Sequence, residues 1–317
     1  MVWDSGLVVF SLLYCSLIFV SLCIGLVEIS RRAVGPLWAC FLTFIMFALL
    51  TSIEQPVILA VILCGLVLRR DRSDRSVELT ALAGGALAAT EILVKFTTGP
   101  VILLVLVVGL FGARATRRQA LIFAASFLAT LAAFWLVSGQ DPGGFPDYLI
   151  NGFGLAFAYG DAMALDFLPL WQALVTALVA VAAVVLTVRG DYREKRARIA
   201  AIVVTAVVVF ALFKQGITRY DEGHLISCLS SLVVLCLAIP AGARRKIEVM
   251  AVVLMVSAAT LFVVPDARKG STGTVGIFPP GNSASGVNVV SNLGDFGEQI
   301  ANLFDSGRRD RLQEEGR

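Results

Sequence analysis

Charge is scarce in this sequence. Of 317 residues only 15% are Asp, Glu, Lys or Arg, against about a quarter in an ordinary water-soluble domain. Hydrophobic residues make up 58% and the mean hydropathy is +0.85, which excludes a water-soluble globular domain. Histidine occurs once, at His224, so a His-rich metal centre and the H-E-x-x-H zinc motif are excluded. The six cysteines (Cys15, Cys23, Cys40, Cys64, Cys228 and Cys236) all fall inside apolar segments, and none forms a C-x-x-C pair. A disulfide framework and a cysteine zinc site are therefore not indicated, and buried thiols are expected. There is no P-loop, no G-x-G-x-x-G after a strand and no G-x-S-x-G elbow. No pattern points to nucleic acid, and no internal repeat is evident.

What is present is a series of apolar runs near 20 residues long, with charges confined to the gaps. That pattern predicts an all-α, polytopic integral membrane protein. About ten transmembrane helices are expected, near 7–27, 36–53, 56–68, 78–95, 100–113, 119–138, 168–188, 198–213, 223–241 and 247–264. The first run lacks a basic leader and a small-residue cleavage site, so it reads as a span rather than a signal peptide. Arg31/Arg32, Arg69/Arg70/Arg72/Arg75, Arg114/Arg117/Arg118, Arg189–Arg198 and Arg244/Arg245/Lys246 occupy alternate gaps. All five are cytoplasmic together only if both termini lie outside. The transmembrane domain covers 1–264. Residues 265–317 form an extracytoplasmic linker rich in Gly, Ser, Pro and Asn, with a short amphipathic helix near 289–304 and a truncated look.

The opposite gaps, "SIEQP", "KFTTGP", the 138–169 segment and "KQGITRYDEGH", share the extracytoplasmic face. The middle of 138–169 is expected to lie in the membrane interface as a short amphipathic helix. The spans at 56–68 and 100–113 are short. Their helices would reach about 20 Å across a hydrocarbon layer of about 30 Å. Either adjoining loop residues extend them, or their outer ends sink and line a cavity open to the outer half of the membrane.

Several chemical groups collect on that face. Lys95, Lys214 and Arg219 lie beside helices that start at Pro56, Pro100, about Pro169 and about Gly223. Free helix N-termini and cations suit a phosphate on a lipid carrier, and the bland alternative is snorkelling to the headgroups. Asp221 and His224 stand three residues apart, on one helical face. They can pass protons, hold a metal with another carboxylate, or brace the loop. Glu54, Asp141, Asp147, Asp161 and Asp166 are candidate bases for a sugar hydroxyl. Glu91 lies within a span, one turn before Lys95, and is expected to pair with it. Trp135, Tyr148, Tyr159, Trp171 and Tyr220 read as an aromatic belt or as sugar-stacking rings.

The stretches "EILVKFTTGPVILLVLVV", "WLVSGQDPGGFPDYLINGFGLAFAYGDAM" and "FKQGITRYDEGH" resemble the GT-C-type membrane glycosyltransferases, over roughly residues 36–265. These polytopic bacterial enzymes use polyprenyl-phosphate-linked sugars outside the plasma membrane. The resemblance implies transfer of a hexosyl or pentosyl group to a cell-envelope glycan or lipid acceptor, often assisted by a divalent metal ion. It gives Lys95, Lys214 and Arg219 the carrier phosphate, and Asp221 and His224 proton or metal work. Glu54 and the loop residues Asp141, Asp147, Tyr159 and Asp161 fall on the acceptor side. Relatives of this kind place their acid in the first external loop. Here the early carboxylate is Asp4, so a chain lacking an upstream helix and that loop is expected. Two other functions fit the composition: a transporter or flippase for a lipid-linked glycan, with polar residues along a full path, and a non-catalytic membrane scaffold.

Overall fold

The computed structural model describes residues 55–162 apart from 71, residues 170–218, and single helical positions between 14 and 25 and between 225 and 236. Every regular element longer than an isolated bridge among the described residues is helical. In chain order they are α1 (Gln55–Leu68), α2 (Asp74–Val94), α3 (Gly99–Gly112), α4 (Arg117–Val137), a 3-10 turn (Pro142–Gly144), α5 (Phe145–Ala162), α6 (Leu170–Val188) and α7 (Lys195–Thr218). Among the described residues three stretches are long and apolar enough to cross a membrane: α2, α4, and the Lys195–Lys214 part of α7.

The local sequence sets where these helices begin. The apolar runs predict starts near 78 and 119, but α2 starts at Asp74 and α4 at Arg117. Ser73 and Thr116 cap them, and each forms a reciprocal capping box, with Ser76 and Gln119 respectively. Such a cap stabilises a helix end by about 1 kcal/mol, enough to carry the helix one turn beyond its apolar stretch. A larger difference concerns α7. It runs to Thr218, so Lys214 is a helical residue and not part of a loop.

The helices form a row in which α4 packs on α2, α2 on α3, α3 on α7 and α7 on α6. Behind this row α1 touches α2, α3 and α7. Ile58, Ile62 and Leu68 of α1 and Ile102 and Leu106 of α3 are fully buried. Small polar bonds tie neighbouring helices together. Cys64 donates to the Val105 carbonyl at 3.2 Å, Ser126 to the Leu82 carbonyl at 2.7 Å, and the Thr187 and Thr205 hydroxyls pair at 2.9 Å. Cys64 and Cys236 are buried free thiols, as expected from their apolar settings. The outward faces carry Leu121, Leu128, Leu136, Leu178, Val181 and Phe210, an apolar surface suited to lipid.

Three Arg-rich connections converge at one end of the bundle. Arg69 and Tyr192 form an isolated antiparallel bridge. Arg114 pairs with Glu194 at 3.0 Å and Arg118 with Glu78 at 3.4 Å. The Arg196 guanidinium lies 3.7 Å above the Phe111 ring. Arg114 itself adopts φ 51, a left-handed conformation that strains a side-chain-bearing residue. The tight α3–α4 connection holds it there.

Tyr192 is buried at this end, and its hydroxyl has no hydrogen-bond partner. Burial pushes its phenol above the ordinary value of 10.0. The folded protein therefore keeps this proton to a higher pH than the unfolded chain does. The group's contribution to stability is complete below about pH 10 and is lost as the pH rises further. Tyr192→Phe is expected to stay within about 1 kcal/mol of wild type at neutral pH and to flatten the alkaline loss. Denaturant unfolding followed from neutral pH to above pH 10 would read both effects. An unchanged alkaline limb would refute the assignment.

Candidate functional site

At the end opposite the arginines, α2 turns into α3 through the hairpin Lys95–Gly99. Lys95 caps α2 in extended conformation and donates its N–H to the Glu91 carbonyl at 2.8 Å. The Thr98 and Gly99 N–H groups both donate to the Lys95 carbonyl at 3.0 Å. Pro100 follows in the first turn of α3, where its missing N–H and fixed φ are tolerated. This closed hairpin starts α3 at Gly99, and the helix ends at Gly112 after 14 residues. Loop residues do not lengthen α3, so its shortness is real.

Beneath the hairpin lies Glu91, only 2% exposed. The Tyr14 hydroxyl donates to its Oε1, and the Thr98 hydroxyl sits 3.1 Å from its Oε2. Lys95 is near enough to act on its charge. Sequence spacing offers only the Lys95 neighbour; the structure adds two hydroxyls, one of them 77 residues away. Thr98 is the residue just before α3, and its side chain does not cap the helix backbone. The anion nearest the start of α3 is thus the protein's own carboxylate, which weakens the reading of this N-terminus as an empty anion site.

An aromatic cluster covers the hairpin from the side. Phe96 meets Tyr148 and Phe153 edge-on, with centroids 5.8 and 4.8 Å away. Trp135 meets Phe145 at 5.1 Å and Tyr148 at 5.4 Å. The Tyr148 hydroxyl donates to the Ile92 carbonyl. Partial burial against this cluster raises the Tyr148 phenol above its ordinary range. A side chain at Gly152 would start 2.7 Å from the Phe96 ring, so only glycine lets α5 lie this close. Trp135 is buried, and both it and Tyr148 are committed to packing. Neither is placed as an open stacking platform for a sugar.

The remaining predicted site residues divide three ways. Asp141 is exposed and caps the 3-10 turn, accepting from the Gly143 N–H at 3.1 Å, while its carbonyl accepts from Trp135 Nε1 at 3.0 Å. Asp147 is exposed in the first turn of α5, where its charge suits the helix dipole. Tyr159 and Asp161 belong to the end of α5. Lys214 is exposed near the end of α7. Gly112 packs against Ala200, and from that contact α3 and α7 run antiparallel. Gly99 and Lys214 each lie about 20 Å along their helices, so Lys95 and Lys214 belong to the same end of the bundle. Glu54, Asp166, Arg219, Asp221 and His224 lie outside the described residues, as do the spans near 36–53 and 247–264 and the 265–317 tail.

A groove of about 530 Å³ opens beside α1, α2 and α4, lined by Leu63, Leu79, Leu82, Ala86, Ser126 and Thr130 among others. It contains no predicted site residue and is not the cavity expected beside "EQP" and "KFTTGP". Among the described residues no group of three His, Cys, Asp or Glu side chains could hold a metal ion. No protein-family model, curated protein or solved structure matches this chain.

Proposed function

We propose that this chain is a GT-C-like membrane glycosyltransferase, or its membrane core, with about ten transmembrane helices and its working face outside the plasma membrane. It transfers a sugar from a polyprenyl-phosphate donor to a cell-envelope glycan or lipid acceptor. One observation carries this reading. Lys95 and Lys214 come to one end of the bundle, beside a helix too short to span the membrane and opposite the arginine-rich end.

In this reading Lys95, Lys214 and Arg219 neutralise the carrier phosphate as it leaves with the electron pair of the broken sugar–oxygen bond. The acceptor hydroxyl oxygen forms the new bond at the anomeric carbon. Glu54 or Asp221 takes its proton, and Asp141, Asp147, Tyr159 and Asp161 border the acceptor. A divalent metal would need Asp221 and His224 with a further ligand.

The test is sugar incorporation from labelled polyprenyl-phosphate donors by membranes containing the full chain. Alanine at Lys95, Lys214 or Arg219 should lower incorporation about a hundredfold, the scale of losing one charge-stabilising group. Wild-type rates in those variants would remove them from the site. A wild type inert with every such donor would leave the flippase or scaffold reading.

A further inference from the structure

α5 is not among the described stretches that are long and apolar enough to cross a membrane. Three contacts place it at the end of the bundle away from the arginines. The Tyr148 hydroxyl donates to the Ile92 carbonyl, two residues before the end of α2. The Phe96 ring of the hairpin sits against Gly152. Trp135, near the end of α4, meets Phe145 and Tyr148, and its Nε1 donates to the Asp141 carbonyl, which folds the short link back onto α4.

These contacts set the depth of α5. α2 and α4 have 21 residues each, about 31 Å of helix, which matches a hydrocarbon layer of about 30 Å. In a membrane the ends of both helices reach the headgroups together. The part of α5 held beside them therefore lies where headgroups meet acyl chains.

Helical spacing divides that part of α5 into three faces. Phe145, Tyr148 and Gly152 turn to the bundle. Ile150 and Phe153, three residues apart, are 69% and 49% exposed. Asp147 and Asn151, four residues apart, are exposed on a neighbouring face. Leu155, also exposed, follows Asn151 by one turn and is not part of the apolar pair. The exposed Val94, Leu136 and Val137 at the ends of α2 and α4 continue the apolar surface at the same level. Between residues 119 and 188 there is no Lys or Arg. Attraction to anionic headgroups is thus not what would hold α5, and burial of its apolar face is.

We infer that the Ile150–Phe153 face of α5 docks on the membrane lipids, with its side chains among the acyl chains and Asp147 and Asn151 towards water. Held there, α5 fixes the depth of the Lys95–Gly99 hairpin through Phe96 and Tyr148. This docking does not depend on the glycosyltransferase reading.

The test places the photo-cross-linker p-benzoylphenylalanine at position 150 or 151 of the full chain in phosphatidylcholine vesicles, and mass spectrometry identifies what it captures. Position 150 should capture phospholipid acyl chains several-fold more often than position 151. Added phosphatidylglycerol should leave that yield unchanged. Equal lipid capture at both positions would overturn the orientation. Capture at position 150 of a second copy, or of another segment of the same chain, would make protein the occupant and overturn the docking. A yield that climbs with phosphatidylglycerol would make this a headgroup site and overturn it as well. In the same vesicles Ile150→Asp should raise hydrogen exchange at Lys95, Thr98 and Gly99 several-fold, while Ile150→Leu keeps wild-type rates. Unchanged exchange in a folded Ile150→Asp protein would refute the coupling to the hairpin. Should that variant misfold, the cross-linking decides the docking by itself.

Discussion

Glu91→Ala is expected to destabilise the protein by about 1–3 kcal/mol. The reason is what the alanine leaves behind. Tyr14 loses its acceptor in a partly buried setting, Thr98 is left with the Lys95 carbonyl at 3.1 Å as its acceptor, and the carboxylate beside Lys95 is gone. Water cannot replace the missing oxygen easily, because Glu91 is 2% exposed and Ile92 and Thr98 around it are buried too. An unsatisfied buried hydroxyl costs about 1–3 kcal/mol, which the Tyr14 hydroxyl supplies. Glu91→Gln keeps one acceptor oxygen and the shape, so it should fall between wild type and alanine. Thermal unfolding of the purified chain in detergent would rank the three. If alanine unfolds with wild type, Glu91 does not hold the hairpin. The damage should also be local. Tyr14 and the hairpin would part first, and hydrogen exchange at Lys95, Thr98 and Gly99 should rise before that at α6 and α7.

Gly85→Val is expected to prevent stable association of α2 with α4. A Cβ at position 85 would lie 2.6 Å from the Phe123 carbonyl oxygen and 3.0 Å from the Phe127 nitrogen. These are backbone atoms of a regular helix, so no rotamer change relieves the clash and α4 must move away. That movement breaks the Ser126–Leu82 hydrogen bond and uncovers Phe123. Within the apolar span of α4 only 11% is buried, so little else holds the helix in place. Overpacking alone costs about 1–3 kcal/mol, and the lost interface adds to it. Gly84→Ala provides the contrast. Its Cβ would meet side-chain tips of Leu106 at 3.1 and 3.2 Å, which can shift, so a small effect is expected. Size-exclusion monodispersity and the thermal midpoint would separate the two. Equal behaviour would show that α4 is not held by its backbone contact at Gly85.

Much of this fold was legible because apolar runs and polar gaps are local features. The runs near 78–95, 100–113 and 119–138 became α2, α3 and α4 with shifts of a few residues. Those shifts trace to capping residues such as Ser73 and Thr116 that a hydropathy window does not weigh. The 138–169 segment was read as containing a short helix, and α5 is there. Three of the five arginine-rich gaps converge at one end, as their alternation along the chain predicts; Arg31/Arg32 and Arg244/Arg245/Lys246 lie outside the described residues. The candidate site was less legible. Lys214 looked like a loop residue because charge ends an apolar run, although α7 continues past it to Thr218.

Composition and run order alone make the chain helical, fit its helices to a membrane and cluster its cations in alternate connections. Composition and the order of runs suffice for these, since a helix satisfies its backbone within its own segment. Only the tertiary structure decided which residues meet. It placed Tyr14 on Glu91, Gly85 on the α4 backbone, Phe96 on Gly152 and Arg69 beside Tyr192. Helices such as α1 are apolar all round and carry no periodic face that would reveal their neighbours. Which side of each helix turns inward is settled by close packing and a few polar bonds, and these depend on groups far apart in the chain.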